Sequence, residues 1–171
     1  QRLELAWSGP LPGLGRRIDQ ALLQVIDGAR EEILLVTFAA YRVPVLREAL
    51  LRAGRRKVRL CVIAESERES DGRIRGEVQE SLGPELAAQA AVYVWPLEAR
   101  PRGAEGAMGV LHAKCAVADR RVLLVSSANL TGAALSLNME LGVLVEGGEL
   151  PGQAARHFDA LMASGVLVQV G

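Results

Sequence analysis

The sequence predicts an α/β domain: a mixed, largely parallel β-sheet flanked by helices on both faces. Three observations predict it. Short runs rich in Val, Ile and Leu alternate with amphipathic stretches of helical period through the first half. Half of the 171 residues are apolar, enough for one sizeable core and one domain spanning 1–171. In the second half, apolar runs follow each other across very short gaps, which makes part of the sheet antiparallel and the whole mixed.

Taken in order, Ile18–Ala29 is the first helix, with Ile18, Leu22, Val25 and Ile26 forming a core-facing stripe. Ile33–Phe38 is a buried strand. Val45–Ala53 is a helix, with Pro44 suited to its first turn and Gly54 to its stop. Val58–Ala64 and Ala91–Trp95 are further strands, with a helix at Ile74–Leu82 between them. Strands joined through helices favour parallel neighbours. Leu111–Ala118 and Arg121–Ser126 form an antiparallel hairpin, Asn138–Glu146 is a third run of that kind, and Pro151–Ala163 is a last helix. Two loops stand out: the highly polar Glu65–Gly72, expected to be a solvated crossover, and Pro96–Gly109, with two Pro, three Gly, Arg100 and Arg102.

Composition excludes several functions. Twenty basic residues balance 20 acidic ones, so bulk charge does not hold this chain on nucleic acid or an anionic membrane. The longest apolar run, Ile33 to Ala40, is far too short to span a bilayer. Cys61 and Cys115 lie in apolar runs and read as free buried thiols, for which the cytoplasm is the default compartment. With two Cys and two His there is no zinc-type cluster, and the expectation is no metal and no cofactor. No signal peptide is apparent, and a start at Gln1 without Met is what a fragment would show.

The chemistry concentrates after residue 111. Only two of the 20 basic residues are Lys, and one of them, Lys114, stands two positions from His112. On a strand that spacing puts both side chains on one face. A lone His on a strand is more often structural than catalytic. A His beside a Lys on an otherwise apolar strand is different, because a buried ammonium needs an anion or a solvent-filled cleft. Asp119 follows five residues later, Ser127-Ala128-Asn129 ends the next strand ahead of a helical turn, and Glu140 lies on the strand after that. His157 carries no motif and reads as a surface or packing residue. Arg55-Arg56-Lys57 and Arg59 read as a solvated helix end, which leaves Arg100 and Arg102 as the better nucleic-acid contacts.

Together, His112-x-Lys114, four residues, Asp119, six residues and Ser126-Ser127-x-Asn129 resemble the phospholipase D superfamily signature, with Ser126 where the family has Gly. Glu140 falls where the superfamily's small bacterial nucleases carry a Glu. The N-terminal Ala6-Trp7-Ser8-Gly9-Pro10 and the overall layout are similar to the phospholipase-D-like component of the DISARM anti-phage defence system.

The resemblance implies a phospholipase-D-like fold and a protomer with a single motif, working as a homodimer with a shared active site. It implies His112 as a nucleophile forming a phosphohistidine, with Glu140 hydrogen-bonded to its other nitrogen. Lys114, Ser127 and Asn129 would hold phosphoryl oxygens, and Asp119 would be structural. Nucleic acid is the expected substrate and no membrane is expected as partner. A phospholipid-hydrolysing or phosphatidyl-transferring enzyme and a nucleic-acid-binding defence subunit with little turnover are the alternatives.

Overall fold

The computed structural model describes residues 1–10, 15–39, 43–69 and 77–170. In chain order the elements are β1 (Arg2–Ser8), β2 (Arg16–Arg17), α1 (Ile18–Gly28), β3 (Glu32–Thr37), α2 (Pro44–Arg55), β4 (Arg59–Ala64), α3 (Val78–Leu82), α4 (Pro84–Ala87), β5 (Ala90–Val94), β6 (Cys115–Ala118), β7 (Val122–Ser126), α5 (Gly132–Ser136), β8 (Glu140–Glu146), α6 (Leu150–Ala163) and β9 (Val168–Val170). The expected helix at 74–82 is present from Val78, its first residues lying outside the described ones.

The strands form one sheet in the order β2-β1-β8-β7-β6-β3-β4-β5-β9. It is mixed and has helices on both faces, as expected, but its balance is not the expected one. Among the described strands, β1·β2, β3·β4 and β4·β5 pair in parallel. The other five pairings are antiparallel. The helix-linked first half makes the parallel block, and the tightly connected second half adds β6, β7 and β8 alongside it without crossovers. β1 and β9 complete the count. Leu3, Leu5 and Trp7 alternate with Glu4, Ala6 and Ser8, a period-two signal that a search for long apolar runs passes over. At three residues β9 is too short to signal itself.

Alternation sorts the core into two layers. Ile33, Leu35, Leu60, Val62, Ala116, Leu124 and Leu144 face α1, α2 and the short helices. Leu34, Val36, Ile63, Val117, Leu123 and Val145 face Ala155 and Phe158 of α6. Each such Leu, Ile or Val stabilises the fold by roughly 1.5–3 kcal/mol through burial. α6 lies over β6 and over Leu123 and Val145 of β7 and β8, and on that same face it leaves β1 and the ends of β7 and β8 nearest Ser126 and Glu140 bare. There Leu3, Leu5, Val125 and Leu141 are exposed, 47–64% of each. The half-buried cysteines stay unpaired on β4 and β6, and burial pushes both thiols up to about 12.

Asp119 closes the β6–β7 turn at the end of the sheet remote from His112. Its φ is 51°, a left-handed conformation that Asp and Asn tolerate. Its carboxylate accepts the backbone N–H groups of Arg30, Glu31 and Glu32 at 2.8–2.9 Å, which ties the hairpin to the start of β3. Burial pushes the carboxyl up, but these three donors outweigh it and hold Asp119 below the usual carboxylate range. A depressed folded value gives stability that is present above the unfolded value of about 3.9 and is lost as pH falls. Asp119→Asn keeps the turn and removes the charge, so urea unfolding at pH 7 should show a loss of about 1–2 kcal/mol. The gap between variant and wild type should begin to close below about pH 3.9. A gap independent of pH would mean that the carboxylate is not what the three donors need.

Candidate active site

All the motif residues except Asp119 gather at one end of the sheet. β6 runs antiparallel to β3, with Val36 opposite Cys115, so the segment before β6 meets the carboxyl end of β3. β7 runs antiparallel to β6, with Val125 opposite Cys115, and brings Ser126 to Asn129 to the same end. Glu140, the first residue of β8, lies there opposite Ser8, the last of β1.

His112 and Lys114 were expected on a strand, sharing a face. The strand begins only at Cys115. The segment before it is held differently: Ser126 N–H donates to Lys114 O at 3.2 Å, which continues the ladder by one bond. His112 is exposed and Lys114 is 8% exposed, yet both meet Phe38. The His112 ring centre lies 5.3 Å from that of Phe38, and Lys114 Nζ lies 5.8 Å above the same ring. Phe38, absorbed into a strand run in the sequence, is in fact the platform at the end of β3.

Lys114 is the electrostatic centre of the site. Nζ donates to the backbone oxygen of His112 at 2.7 Å. Among the described residues no carboxylate lies within ion-pair distance of it. Burial pulls its pKa down, and the charge of Glu140 works in the opposite direction. A nearly buried ammonium with one neutral oxygen and a ring face for company is under-compensated.

Ser127 and Glu140 are brought together. The Ser127 hydroxyl donates to Glu140 Oε2 and accepts Leu141 N–H at 3.2 Å, while Asn138 Nδ2 donates to Oε1 at 3.3 Å. No hydrogen bond joins Glu140 to His112 among the described residues, so the implied pairing is replaced here by Glu140–Ser127. Asn129 sits in a turn tied to β3: Leu130 N–H donates to Ala39 O at 3.0 Å and Thr37 Oγ1 at 3.3 Å. Asn129 Oδ1 is buried and has no partner among the described residues.

The replacement of the family Gly by Ser126 is accommodated across the ladder. Ser126 pairs with Gly142, and a Cβ at 142 would lie 2.6 Å from Val125 O and 2.8 Å from Ser126 Cβ. The Ser126 side chain thus has room beside a residue that carries no Cβ.

Arg100 is a correction. It was expected to reach nucleic acid, but its side chain is 1% exposed and paired at 3.0 Å with Glu65, itself fully buried. Arg102 remains exposed, in an isolated bridge with Met108. The crossover after β4 is solvated only in part where it is described: Glu67 and Arg68 are exposed, but Glu65, Ser66 and Glu69 are buried, and Glu69 accepts the Leu97 N–H. The one cue was position, an acid immediately after the apolar run Val58–Ala64. Arg56 and Arg59 are occupied at the far end, on the Ile26 and Ala29 carbonyls and on Glu32. His157 is exposed with its ring edge-on to Phe158, and it lines the same open groove as His112, Lys114 and Val125.

The family model described as cardiolipin synthase, PLD-like domain, matches residues 22–162. The chain belongs to the phospholipase-D-like family. Among solved structures, NucT from Helicobacter pylori matches at 17% identity over 99% of this chain and all of its own, 100%, with a TM-score of 0.73. Nuc of Salmonella typhimurium, a phospholipase D family member, matches at 17% identity over 99% of this chain and 97% of its own, with a TM-score of 0.68. Phosphatidylserine synthase of Haemophilus influenzae matches at 13% identity and a TM-score of 0.69, over 98% of this chain but 40% of its own. None of the curated proteins compared with the chain matches it significantly. Among the described residues, no helix is long and apolar enough to cross a membrane, and no group of three or more His, Cys, Asp or Glu is placed to hold a metal ion.

The Ser126–Gly142 contact gives a direct check on this end of the sheet. Gly142→Ala should destabilise the fold by about 1–3 kcal/mol, because strand backbone rather than a flexible side chain has to move. Chemical denaturation reads this. An unchanged midpoint would mean that β7 and β8 are not in this register.

Proposed function

We propose that the protein is a metal-independent phosphodiesterase that cleaves nucleic acid through a phosphohistidine on His112, in a site shared by two copies of the chain. The observation that carries the reading is Lys114: an ammonium almost withdrawn from solvent, unpaired with any described carboxylate, and set on the same Phe38 ring as an exposed imidazole. A phosphodiester brings the missing negative charge.

In this reading one ring nitrogen of His112 attacks phosphorus as the bond to the leaving oxygen breaks. Lys114 and Asn129, the latter through its Nδ2–H, hold the non-bridging oxygens as charge builds. For Glu140 to reach the other ring nitrogen, Ser127 has to release it, and the freed Ser127 hydroxyl then donates to a phosphoryl oxygen. The leaving oxygen takes its proton from a second imidazole, which next deprotonates water. Attack of that water breaks the P–N bond and restores His112.

A single chain supplies one motif His, and the second copy supplies the other across a two-fold axis. What supports a second copy is the exposed apolar patch Leu3, Leu5, Val125 and Leu141 on one face of the sheet, where Leu141 directly follows Glu140. A role in anti-phage defence rests on the resemblance of Ala6-Trp7-Ser8-Gly9-Pro10 and of the overall layout. The lipid reading is favoured by one observation: Leu137 and Met139, 74% and 71% exposed, lie just before Glu140. Release of headgroup from phosphatidyl liposomes, with DNA and RNA untouched, would establish it instead.

Cleavage of plasmid, single-stranded DNA or RNA should persist in EDTA, and His112→Ala should abolish it while binding survives. Loss of activity on chelation, restored by Mg²⁺ or Mn²⁺, would overturn the metal-independent chemistry. Wild-type and His112→Ala chains, fully exchanged in equal amounts, should retain roughly one quarter of the all-wild-type activity per total protein. Independent sites would leave roughly half, which would reject the shared site.

A further inference from the structure

We infer that the buried Glu65–Arg100 pair is a positioning device for His112, and this rests on the reading of His112 as nucleophile. The geometry is specific. Glu65 follows the last residue of β4, and its two oxygens do different work: Oε1 accepts the N–H of Leu111 at 2.7 Å, and Oε2 pairs with Arg100 Nη2 at 3.0 Å. Arg100 in turn gathers the incoming loop. Its Nε donates to Trp95 O at 3.0 Å, its Nη1 donates to Gly109 O at 3.2 Å, and its guanidinium stacks 5.2 Å above the Trp95 ring.

The segment from Leu111 to Lys114 belongs to no strand, so the sheet does not set its path. At its far end it is held by the bond from Ser126 N–H to Lys114 O. At its near end the Glu65 carboxylate takes that part, one residue before His112. A planar fork serving two carbonyls and a carboxylate at once is a task that Lys cannot duplicate. A carboxylate divided between a backbone N–H and that fork fixes both partners relative to β4. The pair therefore transmits the rigidity of the parallel block to an imidazole that also meets Phe38 at the end of β3. Neither residue reaches solvent, so Glu65 and Arg100 act through His112 and do not meet substrate.

The chain contains two histidines, which makes the test spectroscopic as well as kinetic. The His112 ring protons lie in the ring current of Phe38, and those of His157 in that of Phe158 on α6, an internal control. Two variants are compared with wild type: Glu65→Gln, which keeps an acceptor for Leu111 but removes the charge, and Arg100→Lys, which keeps the charge but removes the fork. In each variant that melts cooperatively, the His112 resonances should move or broaden while those of His157 stay. On a nucleic-acid substrate kcat should fall roughly ten- to a hundredfold with KM little changed, as for a displaced reacting group. His112 resonances and kcat at wild-type values in a folded variant would overturn the inference. If wild type cleaves no nucleic acid yet the His112 resonances still respond, the nuclease reading fails and the clamp stands.

Discussion

The antiparallel pairing of β6 with β3 is the constraint on which the rest depends. β3, β4 and β5 are parallel and end together, as helix-linked strands do. In open α/β sheets such carboxyl ends are where sites form. β6 enters beside β3 in the opposite sense, so its first residues, and not its last, arrive at that end. His112 and Lys114 meet Phe38 for this reason. β7 and β8 then bring Ser127, Asn129 and Glu140 by simple reversal. A parallel β6 would carry the motif to the end where Asp119 now sits.

That arrangement divides the labour of the motif. Asp119, at the end of β6 remote from His112, spends its charge on three backbone donors and so locks the hairpin register. Lys114 is left short of partners at the other end. The same sheet satisfies one charge fully and starves the other, and a charge kept buried at such cost is the one that has to be accounted for. Ser127, holding Glu140, keeps a second acid engaged and available.

Much of this was legible in the residues. The spacing from His112 to Glu140 needs no structure to be recognised, since it is a local property of one short stretch of sequence. For Asp119 the resemblance implied a structural place, and the three backbone donors it accepts lie too far off in sequence to be read there. The misses share a physical cause, dependence on contacts distant in sequence. Glu65 and Arg100 looked solvated because charged residues in polar loops usually are, and the fold pairs them across 35 positions of sequence. Phe38 vanished into an apolar run because periodicity marks burial and not what lies above a ring. The parallel–antiparallel balance turned on β6 and β9, each of which joins an edge of the parallel block in the antiparallel sense, a pairing between segments distant in sequence.

The central claim is that His112 carries the phosphoryl group during turnover. The direct measurement is a rapid alkaline quench, chosen because a phosphoramidate survives base better than acid, followed by mass spectrometry of the peptides that contain the two histidines. The account predicts a nucleotidyl adduct on His112 during turnover, absent from His157 and chased off by further incubation. Steady cleavage with no adduct on His112, or with the adduct on another residue, would contradict it.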